Sequence, residues 1–174
     1  MAVRPIVVVG VPVLRQKAKK VSQFDCNLQR LIEDMVDTMR AAPGVGLAAP
    51  QIGVPLRVAV IEVEEKLTVL VNPEIVKRVG EEELDEGCLS VPGYWGRIKR
   101  AQSVVVKARN QHGKEIRVKG EGLFGQALQH ETDHLNGILY IDHPGVVDTL
   151  QRTRPERTRE ARETEESPAP VGPE

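Results

Sequence analysis

The chain has 174 residues, a net charge of −1 and only 3% aromatic side chains. That length suits one domain with a proper core, built here from Val, Leu, Ile and Ala. The near-zero charge excludes a global basic field of the kind that gathers nucleic acid, and no run approaches the ~18–20 apolar residues of a membrane span.

The first apolar run, Ile6 to Leu14, has a single arginine before it and Pro12 inside it. Arg15-Gln-Lys-Ala-Lys-Lys20 follows, not a small-x-small cleavage site. We therefore expect a buried N-terminal segment, not a secretory signal. The two cysteines, Cys26 and Cys88, allow one disulfide at most. A chain of this kind in a reducing cytosol keeps them as thiols.

Asp25 has the place of an N-cap. Leu28, Leu31, Ile32, Met35, Val36 and Met39 then recur at helical spacing, so an amphipathic helix is predicted up to Ala42-Pro43-Gly44. Its methionines read as core packing. The next stretch, Gly44-Val-Gly-Leu-Ala-Ala-Pro-Gln51-Ile-Gly53, is small and glycine-punctuated. No Gly-Lys-Ser/Thr follows, so it is not a phosphate loop. A plain turn and a close backbone approach to a ligand stay equally open.

Strands are predicted over Leu56–Val63, Leu67–Val71 and Ile75–Val79, the last two broken at Asn72-Pro73. Glu81 to Glu83 read as a solvated face. Cys88, in Glu86-Gly-Cys-Leu-Ser90, reads from its neighbours as core filler or as a ligand. Ser103–Arg109 and Glu115–Lys119 form a predicted hairpin around Asn110-Gln-His-Gly113. His112 in that turn, and His143 in Asp142-His-Pro-Gly145, read as exposed bystanders.

The stretch Gln129-His-Glu-Thr-Asp-His134 carries the chemistry. Positions i and i+4 of a helix lie on one face, so both imidazoles can reach one ion. Glu131 stands a step aside, as the general base of the H-E-x-x-H arrangement does. Leu123, Ala127, His130 and His134 share a broad stripe, and Gly137 supplies a stop. A third ligand is still needed. Tyr140 stands where a metzincin would place a third histidine, so Cys88 is the best candidate, although its distance in sequence decides nothing. Ile138 to Ile141 suggest a short strand. Residues 151–166 then carry five arginines and five glutamates. We expect a catalytic domain over residues 1–150 and a charged tail over 151–174, disordered or weakly helical.

Taken together, Gly44–Gln51, Glu86–Ser90 and Gln129–His134 resemble the three signature motifs of peptide deformylase, in the right order. The resemblance covers roughly residues 5–142. It implies an α+β fold, with antiparallel β-sheets surrounding a central metal-binding helix, plus the amphipathic helix of the N-terminal half. It implies hydrolysis of the formyl group from N-formylmethionine at the start of newly made chains, in a bacterial cytoplasm. By the same resemblance Cys88, His130 and His134 bind one divalent ion, Fe²⁺ first, with Zn²⁺ or Ni²⁺ as alternatives. Glu131 is the general base and acid, and Gln51 with the Leu89 N–H meets the oxyanion. Val45, Gly46 and Gly87 pair with the substrate backbone. The partner is the formylmethionyl nascent peptide, without membrane or direct nucleic-acid binding. Ribosome association is possible, but the tail lacks the amphipathic helix that would support it. Gln126 departs from the family pattern, in which many members carry an apolar side chain.

Overall fold

The computed structural model of the protein describes residues 2–153. The expectations for the tail beyond Thr153 lie outside the described residues.

Helix α1 spans Cys26–Ala41. The Asp25 carboxylate accepts from the Leu28 N–H at 3.0 Å, satisfying one of the orphan donors of the first turn. Strands β1 (Gly46–Ala48), β2 (Val58–Val63), β3 (Lys66–Val79), β6 (Ser103–Arg109) and β7 (Glu115–Glu121) form one antiparallel sheet in the order β1-β2-β3-β6-β7. Strands β4 (Glu82–Cys88), β5 (Val91–Arg100) and β8 (Gln151–Arg152) form a second, in the order β4-β5-β8. The sheet thus runs past residue 150: Gln151 and Arg152 pair with Trp95 and Tyr94. Helix α2 covers Gly122–Leu135 and carries the paired histidines.

The large sheet is covered on both faces. Val58, Val60, Val69 and Val71 point toward α1, where Leu28, Leu31, Met35 and Met39 meet them. Their neighbours Ala59, Ile61 and Leu70 point the other way, toward Ala127, Leu128 and Leu135 of α2. This explains why β2 reads as an unbroken apolar run rather than an alternation. Ala48 and Ala59 are fully buried under α2, and their small size lets the helix lie close to the sheet. A third cluster, built on Val91, Ile98, Leu139, Tyr140 and Val146, backs the small sheet.

Four local expectations need correction. Asn72-Pro73 does not break the chain into two strands. It is a bulge within β3, with Asn72 at φ +53° and a register shift between Val71 and Glu74. The Asn72 amide replaces the lost ladder bonds: it accepts from the Val21 N–H at 2.8 Å and donates to the Val21 carbonyl at 2.9 Å. The N-terminal segment is docked but not buried. Its backbone N–H groups at Val7 and Val9 donate to Gln51 and Ser90, while Val8 and Val9 remain exposed. Residues Tyr140–Asp142 form a 3-10 turn where a short strand was expected. Leu123, assigned to the buried stripe of α2, is 50% exposed. The stop at Gly137 does occur, at φ +75°, where a Cβ would lie 2.6 Å from the Arg15 carbonyl oxygen.

Candidate metal centre

Helix α2 lies between the two sheets, and the helical spacing of its histidines does what was expected. The Nε2 atoms of His130 and His134 face each other at 3.1 Å. Cys88, at the end of β4, brings its Sγ to 3.2 Å from His134 Nε2. The ligand atoms of these three residues all lie within 4.8 Å of one another. Tyr140 is not among them: its ring centre is 6.3 Å from that of His130. One sulfur and two imidazole nitrogens converging from a helix and a strand are a donor set suited to a divalent transition metal.

The neighbours of the ligands hold them in place. His130 Nδ1 is 2.9 Å from Glu86 Oε2, which leaves Nε2 to point at the centre. Glu86 is in turn held by Arg100, through Nη2 at 2.6 Å and Nε at 3.1 Å. Arg100 also reaches Asp133 Oδ2 at 2.6 Å, and Asp133 takes His143 Nε2 at 2.8 Å. The side chains of Glu86 and Arg100 are 4% and 3% exposed, so this is a buried ion pair. Burial alone would raise the Glu86 pKa, but His130 and Arg100 outweigh it and hold the carboxyl down at about 2. His143, expected to be a bystander, is the outer end of this chain. His112 is exposed, as expected.

None of Glu86, Arg100 or Asp133 received a role from the sequence. A signal for Glu86 was present. Alternate residues of a strand share a face, so a ligand at Cys88 puts Glu86 on the same side, two residues back. Arg100 lies on β5 opposite Glu82, and its meeting with Glu86 is a tertiary fact with no local trace.

Glu131 is buried and stands outside the three-ligand cluster. Its Oε2 has no hydrogen-bond partner among the described residues. Burial pushes its carboxyl up to about 7, against the pull of His130. Burial and the neighbouring His130 charge push His134 down to about 3. For His130 burial acts downward too, but contacts with Cys88 and Glu86 win and raise it.

Gln51 lies behind the sulfur. Its Oε1 accepts from the Ala48 N–H at 2.9 Å, which orients its Nε2 toward Cys88 Sγ at 3.7 Å and Ser90 Oγ at 3.2 Å. The Leu89 N–H, in the turn between β4 and β5, donates to nothing among the described residues. A cleft of about 630 Å³ opens over these groups, lined among others by Val45, Gly46, Gly87, Leu123, Gln126 and Glu131. Strand β1 is the edge of its sheet. The Val45 carbonyl turns inward to accept from Glu62 at 2.8 Å, so ladder alternation turns the Gly46 N–H and C=O outward to the cleft. A Cβ on Gly46 would lie 2.5 Å from Glu131 Oε1, so no larger residue fits without moving the carboxylate. Gln126 does reach the cleft, but its amide is tethered, donating to the Asp85 carbonyl at 3.0 Å and to Glu86 Oε1 at 3.2 Å.

A helix-borne pair of imidazoles, a strand-borne thiol and a buried carboxylate kept back from the ligand set define a metal-dependent hydrolase of the H-E-x-x-H kind. Comparisons with known proteins narrow the class. The family model for polypeptide deformylase matches residues 3–152. A peptide deformylase of Dehalococcoides mccartyi is 51% identical over 158 residues, covering 90% of this chain and 95% of the relative. The crystal structure of a peptide deformylase from Legionella pneumophila is 52% identical, with a TM-score of 0.80 over 82% of this chain and 86% of that one. That of Synechococcus elongatus, in complex with actinonin, is 42% identical with a TM-score of 0.78 over 79% and 76%. The chain belongs to the polypeptide deformylase family, whose enzymes remove the formyl group from N-formylmethionine of nascent peptides. No helix among the described residues is long and apolar enough to cross a membrane.

Proposed function

We propose that this chain hydrolyses no internal amide but releases formate from N-formylmethionyl peptides, with Cys88, His130 and His134 holding one divalent ion. The observation that carries this reading is the convergence of one sulfur and two ring nitrogens within 4.8 Å beside a carboxylate that is not a ligand. A thiolate and two neutral imidazoles leave a divalent ion with a net charge near +1. Such an ion, when bound, supplies a Lewis acid that lowers the pKa of water toward ~7.

The protein's own groups do the rest. The substrate's first peptide units pair with the outward edge of Gly46 and run past Val45 and Gly87, as an added strand would. The methionine side chain enters beside Leu123, Gln126 and Ala127. Glu131, whose carboxyl burial pushes up to about 7, takes the proton from the attacking water and delivers it to the leaving amine. The Gln51 amide and the Leu89 N–H donate to the formyl oxygen as charge grows on it. Fixed donors of this type are each worth roughly 3–4 kcal/mol. Gly46 keeps the strand edge and the carboxylate close enough to serve the same carbonyl.

The metal we propose is Fe²⁺, with Zn²⁺ or Ni²⁺ able to occupy the same donors. The bacterial relatives and the nascent-chain substrate support a cytoplasmic reaction. The test is anaerobic reconstitution with each metal, followed by formate release from formyl-Met-Ala beside acetyl-Met-Ala and an internal-bond substrate. Turnover of formyl-Met-Ala alone, fastest with Fe²⁺ and lost in air, is the expected result. Equal turnover with Zn²⁺ would remove the iron assignment, and cleavage of the internal bond would remove the substrate assignment.

A further inference from the structure

A cleft of about 870 Å³ lies behind α2, away from the metal centre. Its walls come from residues 17–24, the bulge of β3 and the far side of α2 at Thr132 and Asn136. Five cationic side chains line it, Lys17, Lys20, Arg57, Arg78 and Arg109, against one carboxylate, Glu74. The whole chain carries −1, so this is local segregation of charge and not a general basic surface.

Three of the cations, Lys17, Lys20 and Arg78, form no side-chain hydrogen bond or ion pair among the described residues. Arg57 is the deeper anomaly. It is 8% exposed, yet every acceptor it meets is neutral. Its Nη1 donates to the Leu135 carbonyl at 2.9 Å and to Asn136 Oδ1 at 3.0 Å, and its Nη2 donates to the Pro73 carbonyl at 3.2 Å. Glu74 favours its charge from a distance but forms no ion pair with it. Buried charges are ordinarily paired. Here the remaining N–H donors of a guanidinium face a cleft ringed by further cations.

We propose that this cleft is an anion site that takes a phosphoryl group, with Arg57 at its floor and Lys20 and Arg78 at its mouth. A doubly charged, three-oxygen group matches both the number of cations and the planar fork of an arginine better than a single carboxylate does. The volume is that of a small-molecule site, larger than one phosphate needs, so the phosphoryl group belongs to an organic ligand. The site is independent of the metal reading, since none of its residues is a ligand or lines the catalytic cleft.

The test uses the metal-loaded full chain at constant ionic strength. Inorganic phosphate is titrated in, followed by ³¹P line width and calorimetry, and then a single-stranded hexanucleotide without a terminal phosphate. The expected result is saturable phosphate binding that weakens at least tenfold in the Lys20→Gln/Arg78→Gln double variant. Formate release, metal content and melting temperature stay at wild-type values in that variant. Phosphate binding without hexanucleotide binding is expected of a terminal, doubly charged phosphoryl group; tighter binding of the hexanucleotide, lost in the same variant, would overturn that assignment. Absence of saturable binding overturns the proposal. So does equal affinity in wild type and variant, which would put the anion at the metal.

Discussion

Two buried regions of this molecule are held together in opposite ways. Between α1 and the large sheet, the buried contacts are apolar: Met35, Met39, Leu47, Val58 and Val71 are fully buried and ask only for volume. On the other side of α2 the buried groups are charged, and each needs a named partner: Glu86 for Arg100, Arg100 for Asp133, and Glu86 again for His130. The first region stabilises by removing area from water. The second gains little net stability from its charges, because desolvation offsets their attraction. What it supplies is direction, since it aims His130 Nε2 at the centre. Changes in the first region should therefore unfold the protein without touching the metal, and changes in the second should loosen the metal.

The largest effect is expected where the second region meets the reaction. Glu131→Gln should lose roughly 10²–10⁴-fold in formate release while keeping its metal. A variant that arrives metal-free would make Glu131 a ligand and undo the division of roles. Gly46→Ala comes next. Its methyl must displace the Glu131 carboxylate, so activity should fall on the order of 10²-fold with metal content unchanged; steady-state kinetics beside metal analysis would show it. Wild-type activity there would mean that the strand edge and the carboxylate do not act on one carbonyl.

The comparison itself is tested by a pair of variants. Met39→Ala should cost about 2–5 kcal/mol in chemical denaturation and leave metal affinity alone. Glu86→Gln should weaken the metal about 10–100-fold, and it also leaves Arg100 buried beside a lost charge. If both variants shift metal affinity equally, the two regions are not separate.

A smaller effect appears with pH. The folded Glu86 carboxyl, held at about 2, lies below its ordinary value of 4.5. Its contribution to stability is then fully present above pH 4.5 and is lost as pH falls toward 2. In the metal-free proteins, the stability gap between wild type and Glu86→Gln should close over that window. A gap that persists at pH 2 would show that the carboxylate acts through packing and not charge. The smallest effect belongs to the exposed pair Arg40–Glu62, at 2.7 Å. Arg40→Gln should change neither the denaturation midpoint nor metal content, because exposed pairs are screened.

The contrast also explains what could be read from the sequence. Apolar periodicity marks a face without needing to know the partner, so α1, its Asp25 cap and most strands were legible from residues alone. The same holds for the i, i+4 histidines. Asn72-Pro73 misled because the bulge is completed by Val21, far away in the chain. Arg100 was invisible because an arginine on a strand looks the same whether it meets water or a buried glutamate. His143 was misplaced for the same reason, since Asp133 lies on another element. Cys88 was reached as a candidate by need of a third donor and by family resemblance, not by any local pattern.

The central claim is that one sulfur and two imidazoles share an ion. X-ray absorption at the metal edge, on protein loaded and kept without oxygen, tests it most directly. The account predicts one sulfur scatterer, near 2.3 Å if the metal is zinc, together with imidazole nitrogens, and loss of the sulfur in Cys88→Ser. A shell of nitrogen and oxygen alone in the wild-type protein would contradict it.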